Sequence, residues 1–392
     1  MADDDKEAAE NYRQQRQSAI ARKTGFSPKT IQEQLQWVED NRDLVFAVAR
    51  GSGAAEGGEE ALIDEYKQAL LNTSEGSLLD DIHGRQILER VIGEIEHACR
   101  EHRIPIRSGV VFGIAPELGL RISQSAVLET QASIIDVSIP FLTFCNLIAK
   151  ALARSLPQHP AGPQVSVSND PTAVRAQLQQ SPDLVSEWVS IFSSYAEIGW
   201  PPPGIHHITD TATQAVRYML LRAVELFALA HEYGHHVMMH GVGSNSSEQT
   251  ADPFVEEHQA DIFARSASIA IGSTESTPNF YAMSGAGGVI VLGALDLVRR
   301  AKVVLETGNE QFTPRERHPP FSERIAHIAS LDEHLAASHR ESARDMRRCF
   351  IEIVEVIWEV VRPHIVELHL QGARPREGAV DLGGWLPVSN AR

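Results

Sequence analysis

The stretch ALAHEYGHHVMMHG, residues 228–241, sets two histidines four apart, His231 and His235, with Glu232 directly after the first. The residues leading into it, TATQAVRYMLLRAVELF, repeat apolar positions at helical spacing without a proline. One long helix is expected here, starting near Asp210 or Thr211 and stopping at Gly241. On that helix the two imidazoles project from one face about a turn apart, where they can grip one metal ion. Glu232 sits close enough to take a proton from a metal-activated water without being a ligand itself. His236 and His240 are also four apart but point round the helix from the first pair. Neither has a glutamate in the hydrolytic register, so both read as structural. His206 and His207, in PPPGIHHITD, read as surface loop residues.

A two-histidine site needs a third ligand. The segment SNSSEQTADPFVEEHQADIFARSASIA reads as a loop and then a helix, capped by Asp252 with Pro253 at its first position. It contains Glu257, Ala260 and Asp261. Glu257 can supply a carboxylate from this second helix. Asp261, one turn on, can accept the free ring N–H of a ligand histidine and fix its tautomer. The small Ala260 lets the two helices approach closely. Glu256 and His258 are rival ligands, but neither has an aspartate four residues later. Further on, RHPPFSERIAHI holds His318 behind two prolines, with a helix beginning at Phe321 or Ser322. An imidazole fixed there could donate to a developing oxyanion, and Arg324 could pair with a buried acid.

HEYGH, EHQAD and HPPFSERI, in this order across His231 to Ile325, resemble the signature of the HtpX and CAAX-prenyl-endopeptidase type of zinc metallopeptidase, a glutamate-zincin group. The resemblance implies a zincin fold and one zinc per chain, held by His231, His235 and Glu257, with Glu232 as general base. It places His318 where that family keeps a histidine near the cleft. Well-known members are integral membrane enzymes, whereas this chain shows no convincing span: MSGAGGVIVLGALDLV is short and glycine-rich, and FIEIVEVIWEVV carries three glutamates. Both read as buried helices.

The rest of the chain bounds the answer. It has 392 residues, 43% of them hydrophobic, enough for a large core, and a net charge of -17. That charge argues against nucleic acid or an anionic membrane as partner. The opening MADDDKEAAENYRQQRQ is acidic and polar, unlike a signal peptide, and Cys99, Cys145 and Cys349 are odd in number and far apart. A cytoplasmic protein with reduced thiols is expected. SPKTIQEQLQWVEDNRDLVFAVA reads as helix from a serine cap, GSGAAEGGEE as a linker, and LLDDIHGRQILERVIGEIEHACREH as a second amphipathic helix. From residue 104 the period changes. IPIRSGVVFGIAPELGLRISQSAVLETQASIIDVSIP reads as three or four strands, and PQHPAGPQVSVSNDP as a loop.

The fold class expected is α+β, mainly helical: a zincin-like core with a small sheet over 104–370, an N-terminal helical accessory region over 1–103, and a tail over 371–392. The function expected is a zinc endopeptidase acting on a protein or peptide, with regulatory contacts through the N-terminal region. A non-catalytic, zinc-stabilised protein-binding module is the alternative. Zincins pair an extended substrate with an edge strand above the metal; which strand is the edge does not follow from the sequence.

Overall fold

The computed structural model describes residues 2–25, 29–51, 57–72, 77, 79–161, 164–203, 210–240, 253–310 and 319–376. Within these, five helices precede the first strand: α1 (Ala2–Thr24), α2 (Ile31–Asp40), α3 (Arg42–Gly51), α4 (Glu59–Asn72) and α5 (Ile82–Glu101). α1 opens on Asp3, Asp4 and Asp5 and closes on Arg22 and Lys23, charges that complement the helix dipole at both ends. α2 begins with a capping box between Thr30 and Glu33; Ser27, the cap expected from the sequence, lies outside the described residues. α5 is capped by Asp81 and buries Leu88, Val91, Ile92 and Ile95.

Three strands follow, β1 (Val110–Ala115), β2 (Ile122–Ala126) and β3 (Ser133–Ser138), in the sheet order β1-β3-β2. β3 is parallel to β1 and antiparallel to β2. Every residue of the central strand β3 is buried, as a strand covered on both faces must be. α1 lies against the sheet, with Ala9 packed among Val111, Ala132 and Ile134. Its Arg13 is bound by Asp80, and Gln17 donates to the Ile114 carbonyl at 2.6 Å.

Beyond the sheet come α6 (Ile139–Ser155), β4 (Gln158–Ala161), β5 (Gln164–Val167), α7 (Pro171–Gln180), α8 (Pro182–Ile198) and α9 (Thr211–Val237). The stretch expected as a loop is thus in part a two-stranded antiparallel ribbon, β4 with β5. Then follow α10 (Pro253–Thr274), α11 (Phe280–Ser284), α12 (Ala286–Thr307), α13 (Phe321–Ser330), a 3-10 turn (Leu331–His334) and α14 (Ala337–Leu370). The fold is mainly helical with a small sheet. Among the described residues, no helix is long and apolar enough to cross a membrane.

α9 is the axis of the core. It packs on α6, α10, α12 and β2, and Ala223, Val224, Leu226, Phe227, Ala228, Leu229 and Ala230 are all buried. From Ala223 to Ala230 only Glu225 is charged, and so apolar a run of helix belongs inside. α12 approaches it so closely that a Cβ on Gly287 would lie 2.3 Å from the Ala223 carbonyl oxygen. Only glycine fits that contact.

Candidate metal centre and active site

α9 starts where the sequence predicts, with the Asp210 carboxylate accepting from Thr213 N–H. It ends at Val237, short of Gly241, in a turn through Met239 at φ 61. The helix spacing puts His231 and His235 side by side, with their Nε2 atoms 3.1 Å apart. α10 brings Glu257 to face them. Its oxygens lie 3.4 Å from His231 Nε2 and 3.7 Å from His235 Nε2. A tetrahedral ion with bonds of about 2.0–2.1 Å sets its donor atoms about 3.3 Å apart. The three side chains therefore form a group that could hold a metal ion. Glu256, the rival carboxylate, is half-buried and outside this group, and His258 turns toward α13.

The close approach of α9 and α10 has a cause in sequence. A Cβ on Gly234 would sit 3.1 Å from the Ala260 Cα and 3.1 Å from the Phe263 Cβ. Gly234→Val is expected to force the helices apart and lower stability by about 1–3 kcal/mol, the ordinary cost of overpacking. A thermal melt checks this; an unchanged Tm would mean that the contact has slack.

Both histidines are held from behind. His231 Nδ1 lies 2.9 Å from Asp261 Oδ1, and Arg324 donates to both Asp261 oxygens, from Nε at 2.8 Å and from Nη2 at 2.6 Å. All three side chains are buried, His231 and Arg324 to 1% exposure and Asp261 to 0%. With Nδ1–H donating to Asp261, Nε2 is the nitrogen that faces the centre, and it offers a lone pair there once its own proton has left. Burial opposes charge on His231, but the Asp261 and Glu257 carboxylates outweigh it and raise its pKa to about 9. His235 is pushed the other way, to about 3, by burial first and by the neighbouring His231 second. Burial would raise Asp261, yet the Arg324 guanidinium holds it below the usual carboxylate range.

The support of His235 is not apparent in the sequence. His235 Nδ1 lies 2.8 Å from His240 Nδ1, and His240 Nε2 lies 2.8 Å from Gln259 Oε1. If Gln259 accepts from His240 Nε2–H, His240 Nδ1 accepts from His235 Nδ1–H, and His235 Nε2 is also left as a lone pair. His240 was expected to be a structural residue pointing away. The turn at Met239 brings it back onto His235, with its N–H donating to the His235 carbonyl. His236 does serve the frame, with its ring between Ser133 Oγ and the Ile106 carbonyl.

Glu232 lies under the sheet edge. The Gln124 N–H donates to its Oε2 at 2.6 Å. The Ser138 N–H donates to the Arg121 carbonyl and the Val127 N–H to that of Ala132. With the register Ser123↔Asp136 and Ser125↔Ile134, odd-numbered residues carry the ladder between β2 and β3. The N–H and C=O groups of Ile122, Gln124 and Ala126 thus point away from β3, on the side where Glu232 lies. Asp252, His206, His207 and His318 lie outside the described residues. Pro319 and Pro320 lead directly into α13, which carries Arg324.

A family model described as Peptidase U49 matches residues 144–342, about half of the chain. No curated protein matches the chain, and no solved structure does.

Proposed function

The chain belongs to the peptidase U49 family, and from that premise we propose that it is a zinc-dependent endopeptidase with Glu232 as its general base. The observation that carries this reading is the convergence of two imidazole nitrogens and a carboxylate within 4.8 Å of one another, beside a glutamate beneath a sheet edge. His231, His235 and Glu257 would hold the metal. Asp261 and His240 orient the two histidines. The order of HEYGH, EHQAD and HPPFSERI supports a zincin core of the HtpX and CAAX-prenyl type.

A bound zinc ion would supply the Lewis acid and the acidified water that peptide hydrolysis needs. Glu232 takes the proton of the attacking water and passes it to the leaving amine. The Gln124 N–H fixes one oxygen of that carboxylate, so the base is aimed before substrate arrives. The other outward groups of β2, on Ile122 and Ala126 and the Gln124 carbonyl, bind the substrate main chain as an added strand. This makes β2 the substrate edge: β1 is also an edge among the described residues, but it is β2 whose outward N–H meets Glu232.

Metal analysis beside cleavage of casein tests the reading. Purified protein is expected to carry one zinc per chain. His235→Ala and Glu257→Ala are expected to lose most of it, because two ligands hold zinc poorly, while Glu256→Ala keeps it. His240→Ala is expected to weaken zinc binding about 10–100-fold, as loss of an outer hydrogen-bond partner does. Wild type without zinc and without cleavage would overturn the proposal. Zinc retained without cleavage of any protein would favour the binding module instead.

A further inference from the structure

A second convergence of ligand atoms lies on the other side of the α10–α13 pair, and the proposed reaction does not use it. Along α10, Glu257 and Asp261 turn toward α9, while His258 turns toward α13. Along α13, Arg324 turns inward to Asp261. Glu323 and His327, four residues apart and so on one face, meet His258. One donor atom from each of His258, Glu323 and His327 lies within 4.8 Å of the other two. The site opens to solvent, with the His258 side chain 14% exposed and that of Glu323 43% exposed.

A simple ion pair does not account for this geometry. His258 Nε2 lies 3.3 Å from Glu323 Oε1 but is buried without a hydrogen-bond partner among the described residues. The His258 and His327 rings stack with centroids 3.4 Å apart. Two protonated imidazoles at that separation would repel. A neutral imidazole at each position has one ring-nitrogen lone pair to offer. Two neutral imidazoles and one carboxylate suit a borderline divalent ion such as zinc, and they disfavour magnesium or calcium, which take oxygen ligands.

We propose that His258, Glu323 and His327 form a second, weaker site for zinc or a zinc-like divalent cation, bridging α10 and α13. Both helices carry residues that support His231: α10 supplies Asp261 and α13 supplies Arg324. An ion across their outer faces braces the Asp261–Arg324 pair from the far side. It fills at higher free zinc than the inner centre, because its ligands are more exposed and less rigidly held. The inference does not depend on hydrolysis, since it concerns only the donor atoms.

Equilibrium dialysis of the full chain against zinc buffered at increasing free concentration tests it, with bound metal measured directly and Tm recorded at each step. Wild type is expected to take up one more ion than either Glu323→Gln or His327→Asn. Each of these variants weakens that binding step at least about a hundredfold by removing a direct ligand. Wild type should also gain a few degrees in Tm as the step fills, and the variants should not. Glu257→Ala should keep the weaker step while losing the tighter one, so failure of the inner centre would read differently from failure of this site. The two outer variants should melt like wild type in chelator, which separates lost ligation from lost fold. Equal uptake by wild type and both variants at every concentration, or no weaker step in wild type, would overturn the proposal.

Discussion

Glu232→Gln is expected to keep its metal and its fold and to lose hydrolysis by about a hundredfold to ten-thousandfold, the usual worth of a general base. The amide has the shape of the carboxylate, and its carbonyl oxygen can still accept the Gln124 N–H that Glu232 accepts at 2.6 Å. What it cannot do is take a proton from water. The inner ligands are untouched, and the buried Arg324 keeps its bidentate partner Asp261. Zinc content and Tm should therefore match wild type while kcat/KM falls. Near-normal cleavage by the variant would remove Glu232 as the base. Loss of zinc would instead make Glu232 part of the metal support.

Arg324→Ala is expected to be the most destabilising of the single changes, by about 3–5 kcal/mol, because it strands a buried carboxylate. Asp261 is fully buried and takes two short hydrogen bonds from Arg324. Arg324→Lys should rescue little, since an ammonium cannot reproduce the two-pronged contact. Replacing both partners, with Asp261→Asn and Arg324→Met, should be less harmful than Arg324→Ala alone, because the fully buried carboxylate at 261 goes with its cation and only the Glu257 contact at 3.6 Å is lost. Thermal melts of the three variants beside wild type decide it. A single variant melting within a degree of wild type would contradict the burial argument. Activity should fall with stability here, through His231, since Asp261 would lose the group that holds it.

The sequence conveys what regular geometry carries. Helical spacing alone places His231 beside His235 and Asp261 one turn beyond Glu257, and Asp210 marks the start of α9. Arg324 finds its buried acid because α13 begins at Phe321, where the prolines end. The rest depends on contacts that no local period encodes. His240 reaches His235 through an irregular turn with a positive φ at Met239, not through a helix face. The ribbon β4–β5 is only four residues on each side and contains Pro160, so it lacks the alternating run that marks a strand. α1 has no apolar stripe and docks through buried Arg13 and Gln17, side chains that a hydrophobic pattern cannot flag. The edge position of β2 is set by which strands pair, a long-range choice made by the core.

The five residues of β2 bear on what kind of target the protein can accept. Its outward groups are main-chain groups, identical for every amino acid, so this edge reads conformation and not side-chain identity. A partner must present about 17 Å of chain in fully extended form to match the strand. A helix satisfies its own amides and offers nothing to pair with. On the proposed reading, a folded target is cut only where it frays, loops out or has already begun to unfold, and selectivity among targets arises from their local instability before it arises from their sequence.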